Sequence, residues 1–208
     1  MDYLLLAIAW AAWCTVHSFL IAHRVTTYLK IKLGAYYRFY RLFYNIFAVL
    51  SLVPVYLYTS SLNEPIVYKL EGGLQILRFL LLCLAVFLFY MGSKKYSLAQ
   101  FTGLYQIRNN NSSKMLSRSG SLVTGGVLGV VRHPWYLGGV LLLWARDLNV
   151  PGLIVNIILS LYLIFGAWLE EQKLLKEFGA SYAEYRNKVS MFIPFRWLFS
   201  RKKRESAL

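Results

Sequence analysis

Five apolar runs separated by short polar stretches organise the chain. They lie at Asp2–Ala22, Phe39–Ser60, Gly72–Gly92, Pro134–Leu148 and from Pro151 to at least Trp168. A helix needs about 20 mostly apolar residues to cross the roughly 30 Å hydrocarbon of a bilayer. The runs carry no strict alternation, and backbone groups inside lipid must be satisfied within a helix or a closed barrel. The pattern therefore predicts an all-α, polytopic transmembrane protein with about five spans. The fourth run is short for a full span, which predicts partial shielding by protein. Asn149-Val150-Pro151 alone separates it from the fifth, so the two form a tight helical hairpin. The first run lacks a basic leader and a small-residue cleavage site, so it stays as a helix rather than leaving as a signal peptide.

Charge sorts the connections. Arg24, Lys30, Lys32, Arg38 and Arg41 lie between or beside the first two runs without an acid. Lys94, Lys95, Arg108, Lys114, Arg118 and Arg132 lie between the third and fourth, again without one. After the fifth run come nine basic and five acidic residues, ending in Arg201-Lys202-Lys203-Arg204. Cytoplasmic loops carry the excess of Lys and Arg, so the N-terminus is expected outside and the C-terminus in the cytoplasm. Composition agrees: 58% of residues are apolar and 15% charged, against about 25% charged in soluble domains. The net charge of +14 is read as loop asymmetry and attraction to anionic lipid rather than nucleic-acid binding. Cys14 and Cys83 sit inside apolar runs and offer neither a metal-ligand spacing nor a disulfide framework. The chain divides into a three-span region (1–92), a loop (93–133) holding a short interfacial helix near Leu98–Leu104, and a hairpin with its tail (134–208).

Candidate chemistry gathers at one end of the hairpin. In TGGVLGVVRHPWYLGG, residues 124–139, Pro134 disfavours a helical His133 and starts the fourth helix. The first-turn N–H groups there carry about half a positive charge, and Arg132 and His133 precede them. Such an end suits the carboxylate of an amino-acid-bearing cofactor; the alternative is a flexible loop in which Arg132 marks the interface. Glu170 and Glu171 follow GAWL at the inner end of the fifth run. Acids near a membrane mark function and can accept hydrogen bonds from ribose hydroxyls or an ammonium; the alternative is a helix exit paired with Lys173. Gly179 stops the helix, and Tyr182, Tyr185 and Arg186 share a face of a short helix beyond it, either as an aromatic site for a cation or as a tyrosine belt. His17 lies inside the first run. It either contacts a substrate, or serves as a base, or hydrogen-bonds a neighbouring helix. Arg41 either pairs an acidic head group or anchors the interface.

The order RHPWYLGG, a short hairpin, LEEQKLLKEFGASYAEYRNKV and then Ile193-Pro194 resembles the isoprenylcysteine carboxyl methyltransferase family of integral membrane enzymes, which includes phospholipid N-methyltransferase-like and methanethiol methyltransferase-like members. The similarity covers roughly residues 122–194. It implies that the C-terminal hairpin and tail enclose S-adenosylmethionine near the cytoplasmic face of a bacterial inner membrane. It further implies a methyl acceptor that is a lipophilic or small membrane-soluble molecule bearing a carboxylate, thiol or amine. Carried over by motif, Arg132, His133, Pro134, Tyr136, Leu137, Gly138, Glu170, Glu171, Tyr182, Tyr185 and Arg186 contact the cofactor; the resemblance assigns no catalytic residue, for which His17 and Arg41 stand as the candidates, and no metal is expected. Two alternatives stand beside this reading. One is an NADPH-dependent membrane sterol or steroid reductase, whose corresponding helix exit is rich in Arg and Asp rather than in paired glutamates. The other is a non-enzymatic transport or assembly protein, supported by little beyond His17 and Asn156 as intramembrane polar groups.

Overall fold

The computed structural model describes residues 1–94, 98–109 and 122–199. Nine helices lie in these residues: α1 (Asp2–Leu20), α2 (His23–Leu33), α3 (Tyr40–Ser61), α4 (Leu74–Ser93), α5 (Leu98–Thr102), α6 (Leu104–Asn109), α7 (Pro134–Trp144), α8 (Val150–Phe178) and α9 (Ala180–Lys188). Single 3₁₀ segments occupy Gly34–Phe39 and Gly126–Gly129. Among the described residues, four helical stretches are long and apolar enough to cross a membrane: α1, the stretch His23–Ser61 that contains α3, α4, and α8. The chain is an all-α, polytopic membrane protein. Lys95, Lys114 and Arg118, and the tail Arg201–Arg204, lie outside the described residues.

The fourth apolar run behaves differently from the other four. Its helix ends at Trp144 rather than Leu148, so α7 has 11 residues and a length of about 16 Å at 1.5 Å per residue. That is half of the hydrocarbon thickness. Leu142 alone in α7 is exposed; the other ten residues are buried or half-buried against protein. The expected shielding is present.

The residues fall into two units. The first comprises Met1–Lys69, Ser97–Met115 and Asp147–Ile158. In it α1 and α3 run antiparallel. The indole of Trp10 donates to Thr59 Oγ1 (2.9 Å) and that of Trp13 to Ser51 Oγ (3.1 Å), while His17 meets Tyr44; partner numbers fall as α1 advances. Polar side chains are one means by which helices associate in lipid, where apolar burial supplies no preference for protein over tails. A two-residue β-ladder pairs Ile66 with Asn149 and Tyr68 with Leu148. Asn149 Oδ1 accepts from Gly152 N at 2.9 Å, satisfying one of the first amides of α8. The basic stretch after α1, read from sequence only as a connection, is the helix α2, with no buried residue.

The second unit comprises Leu70–Tyr96, Leu116–Arg146 and Leu159–Leu208. In it α4 packs along α7 through small residues. A Cβ at Gly138 would press on the Phe89 ring, and one at Gly92 would overlap the Trp135 indole. Trp135 Nε1 donates to the Phe89 carbonyl at 3.2 Å. The expected α7–α8 hairpin is present: Trp144 Nε1 donates to Ser160 Oγ at 3.0 Å, and Gly139 faces Leu163. Gly179 breaks the chain out of α8 with φ of 53°, a conformation that costs glycine little and other residues more. α9 then folds back, and Tyr182, Tyr185 and Val189 pack on Leu174.

Candidate functional site

Pro134 fixes the geometry from which the site is built. His133 lies outside the helix at φ −123°, ψ 66°, and the helix begins at Pro134. The strand-like approach to it runs parallel to the segment after α9. Val131 bridges Ser190, Arg132 N donates to the Ser190 carbonyl (3.0 Å) and His133 N to the Met191 carbonyl (3.2 Å). These bonds hold the Arg132 and His133 side chains against the lower part of α8.

There they meet Glu171. Arg132 Nε donates to Glu171 Oε1 at 2.7 Å and its Nη2 lies 2.6 Å from the same oxygen. His133 Nε2 is 3.2 Å from Oε1. All three contacts fall on one oxygen and none on Oε2. Arg132 Nη1 also donates to the carbonyl of Arg186 (3.0 Å) and to that of Val189, so this one guanidinium ties the α7 entrance, α8 and the end of α9 together. Arg132, His133 and Glu171 are all buried. A buried carboxylate or guanidinium costs several kcal/mol unless paired and hydrogen-bonded, and here each provides for the other.

Glu170, one residue earlier, keeps 22% of its side-chain surface exposed; its Oε2 is 3.7 Å from His133 Nδ1. His133 therefore has a carboxylate off each ring nitrogen, the Tyr136 ring edge-on at 5.4 Å and Phe192 at 6.1 Å. Tyr182 is 1% exposed, yet among the described residues its hydroxyl has no hydrogen-bond partner. It lies near enough to Glu171, Arg132 and Glu170 to interact electrostatically with each. Burial raises its pKa above the ordinary phenol value. Burial likewise pushes the Tyr185 phenol up to about 12, and its hydroxyl donates to the Leu128 carbonyl at 2.6 Å. Both phenols stay neutral at physiological pH.

Most of the residues singled out from sequence thus converge in the second unit, in roles that differ. Arg132, expected to face a ligand carboxylate, is instead spent on the protein's own Glu171. Tyr185 is spent on the glycine-rich approach. Arg186 contributes its main-chain carbonyl, which also accepts from Arg196. Gly138 is a packing position against α4, and Leu137 lies in the first turn, its N–H on the His133 carbonyl. Arg196, Ser190 and Phe192 were missed: their signal, the chain folding back in parallel after α9, is not local in sequence.

His17 and Arg41 belong to the first unit and form a cluster of their own. His17 Nε2 and Tyr44 Oη are 2.5 Å apart, and Trp13 stacks on the imidazole at 5.1 Å. Arg41 lies over the Tyr44 and Phe101 rings and donates to the Phe101 carbonyl, which Asn45 also binds. Hydrogen bonding to a neighbouring helix, one of the alternatives for His17, is met by Tyr44. Replacing His17 with Phe keeps the stacking and removes the bond. The expected cost is about 1 kcal/mol, by the scale of interhelical hydrogen bonds in membranes, read as a lowered unfolding midpoint in detergent.

The chain is 35% identical over 95 residues to methanethiol S-methyltransferase 1 of Bradyrhizobium diazoefficiens, covering 45% of this chain and 33% of that protein. It is 34% identical over 76 residues to methanethiol S-methyltransferase of Pseudomonas deceptionensis (36% and 29%). It is 38% identical over 82 residues to protein-S-isoprenylcysteine O-methyltransferase of Saccharomyces cerevisiae (36% and 33%). The chain spans about a third of the length of these relatives. No solved structure matches it. The model of the family described as NnrU protein matches residues 5–191, nearly the whole chain, and the protein belongs to the NnrU family.

Proposed function

We propose that this protein is an S-adenosylmethionine-dependent methyltransferase of a bacterial inner membrane, acting from the cytoplasmic side on a small lipophilic acceptor, with a thiol the first class to test. The observation that carries the proposal is the Tyr182 hydroxyl, buried and, among the described residues, unpartnered beside the Arg132–Glu171–His133 knot. A buried hydroxyl without a partner costs about 1–3 kcal/mol, so one beside bound charges points to a ligand that completes it. The relatives, named for methyl transfer to a thiol or to isoprenylcysteine, supply the reaction class. The basic bias of the connections supports the orientation, with α7 as a protein-shielded fifth segment.

The residues present suit such a cofactor. Its ammonium and ribose hydroxyls need acceptors, which Glu171 Oε2 and Tyr182 Oη provide. Its sulfonium is a cation, which aromatic rings attract, and Tyr136 stands against His133 at the same place. When bound, S-adenosylmethionine supplies a methyl group already activated on positive sulfur. The protein's task is then alignment, which contributes up to about 7–11 kcal/mol of barrier lowering in favourable cases. Arg132 holds Glu171 and the end of α9 at fixed distance, His133 is pinned by Glu171, and burial of the knot keeps water from competing for it.

Calorimetric titration of the purified protein in detergent tests the proposal. Binding of S-adenosylmethionine, no binding of NADPH, and labelled methyl transfer to a small thiol are the expected results. Binding of NADPH instead, or of neither, would overturn it.

A further inference from the structure

We infer that Glu170 accepts the proton when a neutral thiol is methylated at this site, an inference that rests on the methyl-transfer reading above. The two adjacent glutamates of α8 are not equivalent. Glu171 is buried and has its Oε1 occupied by Arg132 and His133. Were it to take up a proton, Arg132 would be left as a buried cation without a counter-charge, which is strongly unfavourable. Glu170 is not bound in this way. Its contact within the described residues is the 3.7 Å approach to His133 Nδ1, beyond hydrogen-bond length, and 22% of its side chain reaches the surface. It is the carboxylate of the pair that can gain a proton without breaking the knot and return it to water between turnovers. The Tyr182 hydroxyl, 99% buried and without a hydrogen-bond partner among the described residues, belongs to the same cluster as both acids.

The chemistry balances as follows. The thiol sulfur forms a bond to the methyl carbon, and the bond from that carbon to the donor sulfonium breaks with its electron pair staying on the donor sulfur. The thiol proton passes to a Glu170 oxygen. As the new bond forms, positive charge grows on the thiol sulfur and its proton becomes strongly acidic, so a carboxylate is a sufficient base. His133, held on Glu171 through Nε2, keeps Nδ1 3.7 Å from Glu170 Oε2, near enough for its charge to be felt but without a hydrogen bond.

The test uses the full chain in detergent or nanodiscs, with Glu170→Gln and Glu170→Asp. S-Adenosylmethionine affinity is measured by calorimetry. Labelled methyl transfer is followed to an alkyl thiol, neutral at pH 7, and to an aryl thiol already ionised there. Glu170→Gln is expected to bind the cofactor within about twofold of wild type. Its kcat for the alkyl thiol at pH 7 falls about 10²-fold, at the lower end of general acid–base effects. The loss shrinks as pH rises toward the pKa of that thiol and is small for the aryl thiol, and Glu170→Asp recovers part of the rate. An equal loss on both thiols at every pH, no loss at all, or lost cofactor affinity in Glu170→Gln overturns the inference while leaving methyl transfer standing. A wild-type protein that does not bind S-adenosylmethionine removes the methyl-transfer reading itself.

Discussion

Glu171→Gln is expected to lower the stability of the second unit by about 3–5 kcal/mol, the scale of removing one member of a buried ion pair. Glu171 and Arg132 side chains are 5% and 8% exposed, and Oε1 receives both guanidinium contacts and His133. Glutamine fills the same space and still offers a carbonyl to one donor, but it leaves the guanidinium charge buried with carbonyl dipoles only, those of Arg186 and Val189. The double replacement Arg132→Met with Glu171→Leu removes both charges. Exchanging a buried pair for apolar groups of similar volume is often neutral or stabilising, so the double variant should melt near wild type. It should nonetheless bind S-adenosylmethionine at least tenfold more weakly, because Oε2 and the fixed His133 are gone. Thermal unfolding and calorimetric titration of the three proteins separate the roles. A double variant that binds the cofactor like wild type would take Glu171 out of the binding site. One as unstable as Glu171→Gln would show that Arg132 holds α9 through the Arg186 and Val189 carbonyls more than through charge.

That pairing marks the boundary of what the sequence discloses. The spans were legible because length and apolar composition are local properties, and a bilayer enforces them residue by residue. The start of α7 was legible for a similar reason: Pro134 restricts its predecessor wherever it occurs. The helix α2 was not, because Arg24, Lys30 and Lys32 interrupt its apolar positions and none of its residues is buried, so no periodic core signal marks it. The early end of α7 at Trp144 was also hidden. Leu148 and Asn149, expected within or beside that helix, lie instead in a ladder with Ile66–Tyr68, a partner about 80 residues away in the chain. In the candidate site the residue types were legible and their partners were not. Arg132 was expected to meet a ligand's carboxylate, but a buried guanidinium requires a resident counter-charge even when no ligand is bound, and Glu171 is that charge. The motifs named the residues that cluster at the α7 entrance and the foot of α8; their contacts with one another depend on the fold and could not be read from the motifs.

Gly92→Leu should be the most damaging single change in the α4–α7 interface, and Gly92→Ala already costly. A Cβ at Gly92 would run into Trp135 at Nε1 and Cδ1. The indole cannot retreat freely, because Nε1 donates to the Phe89 carbonyl and a rotation that clears the new methyl gives up that bond. Overpacking of this kind costs about 1–3 kcal/mol, and close helix approach through small residues is a main source of association in lipid. The effect should reach the candidate site, since Trp135 stands two residues from His133 in the first turn of α7, and a tilt of that turn shifts the imidazole against Glu170 and Glu171. The expected result for Gly92→Ala is a lower unfolding midpoint together with weakened binding of S-adenosylmethionine. Trp135→Phe in the same chain supplies a smaller ring and removes the atoms that clash. If tight helix approach is the cause, this second change should recover part of the midpoint and of the affinity, although alone it forfeits the Phe89 hydrogen bond. Additive losses in the double variant, with no recovery of either quantity, would mean that Gly92 matters for another reason, such as the backbone conformation of α4 itself.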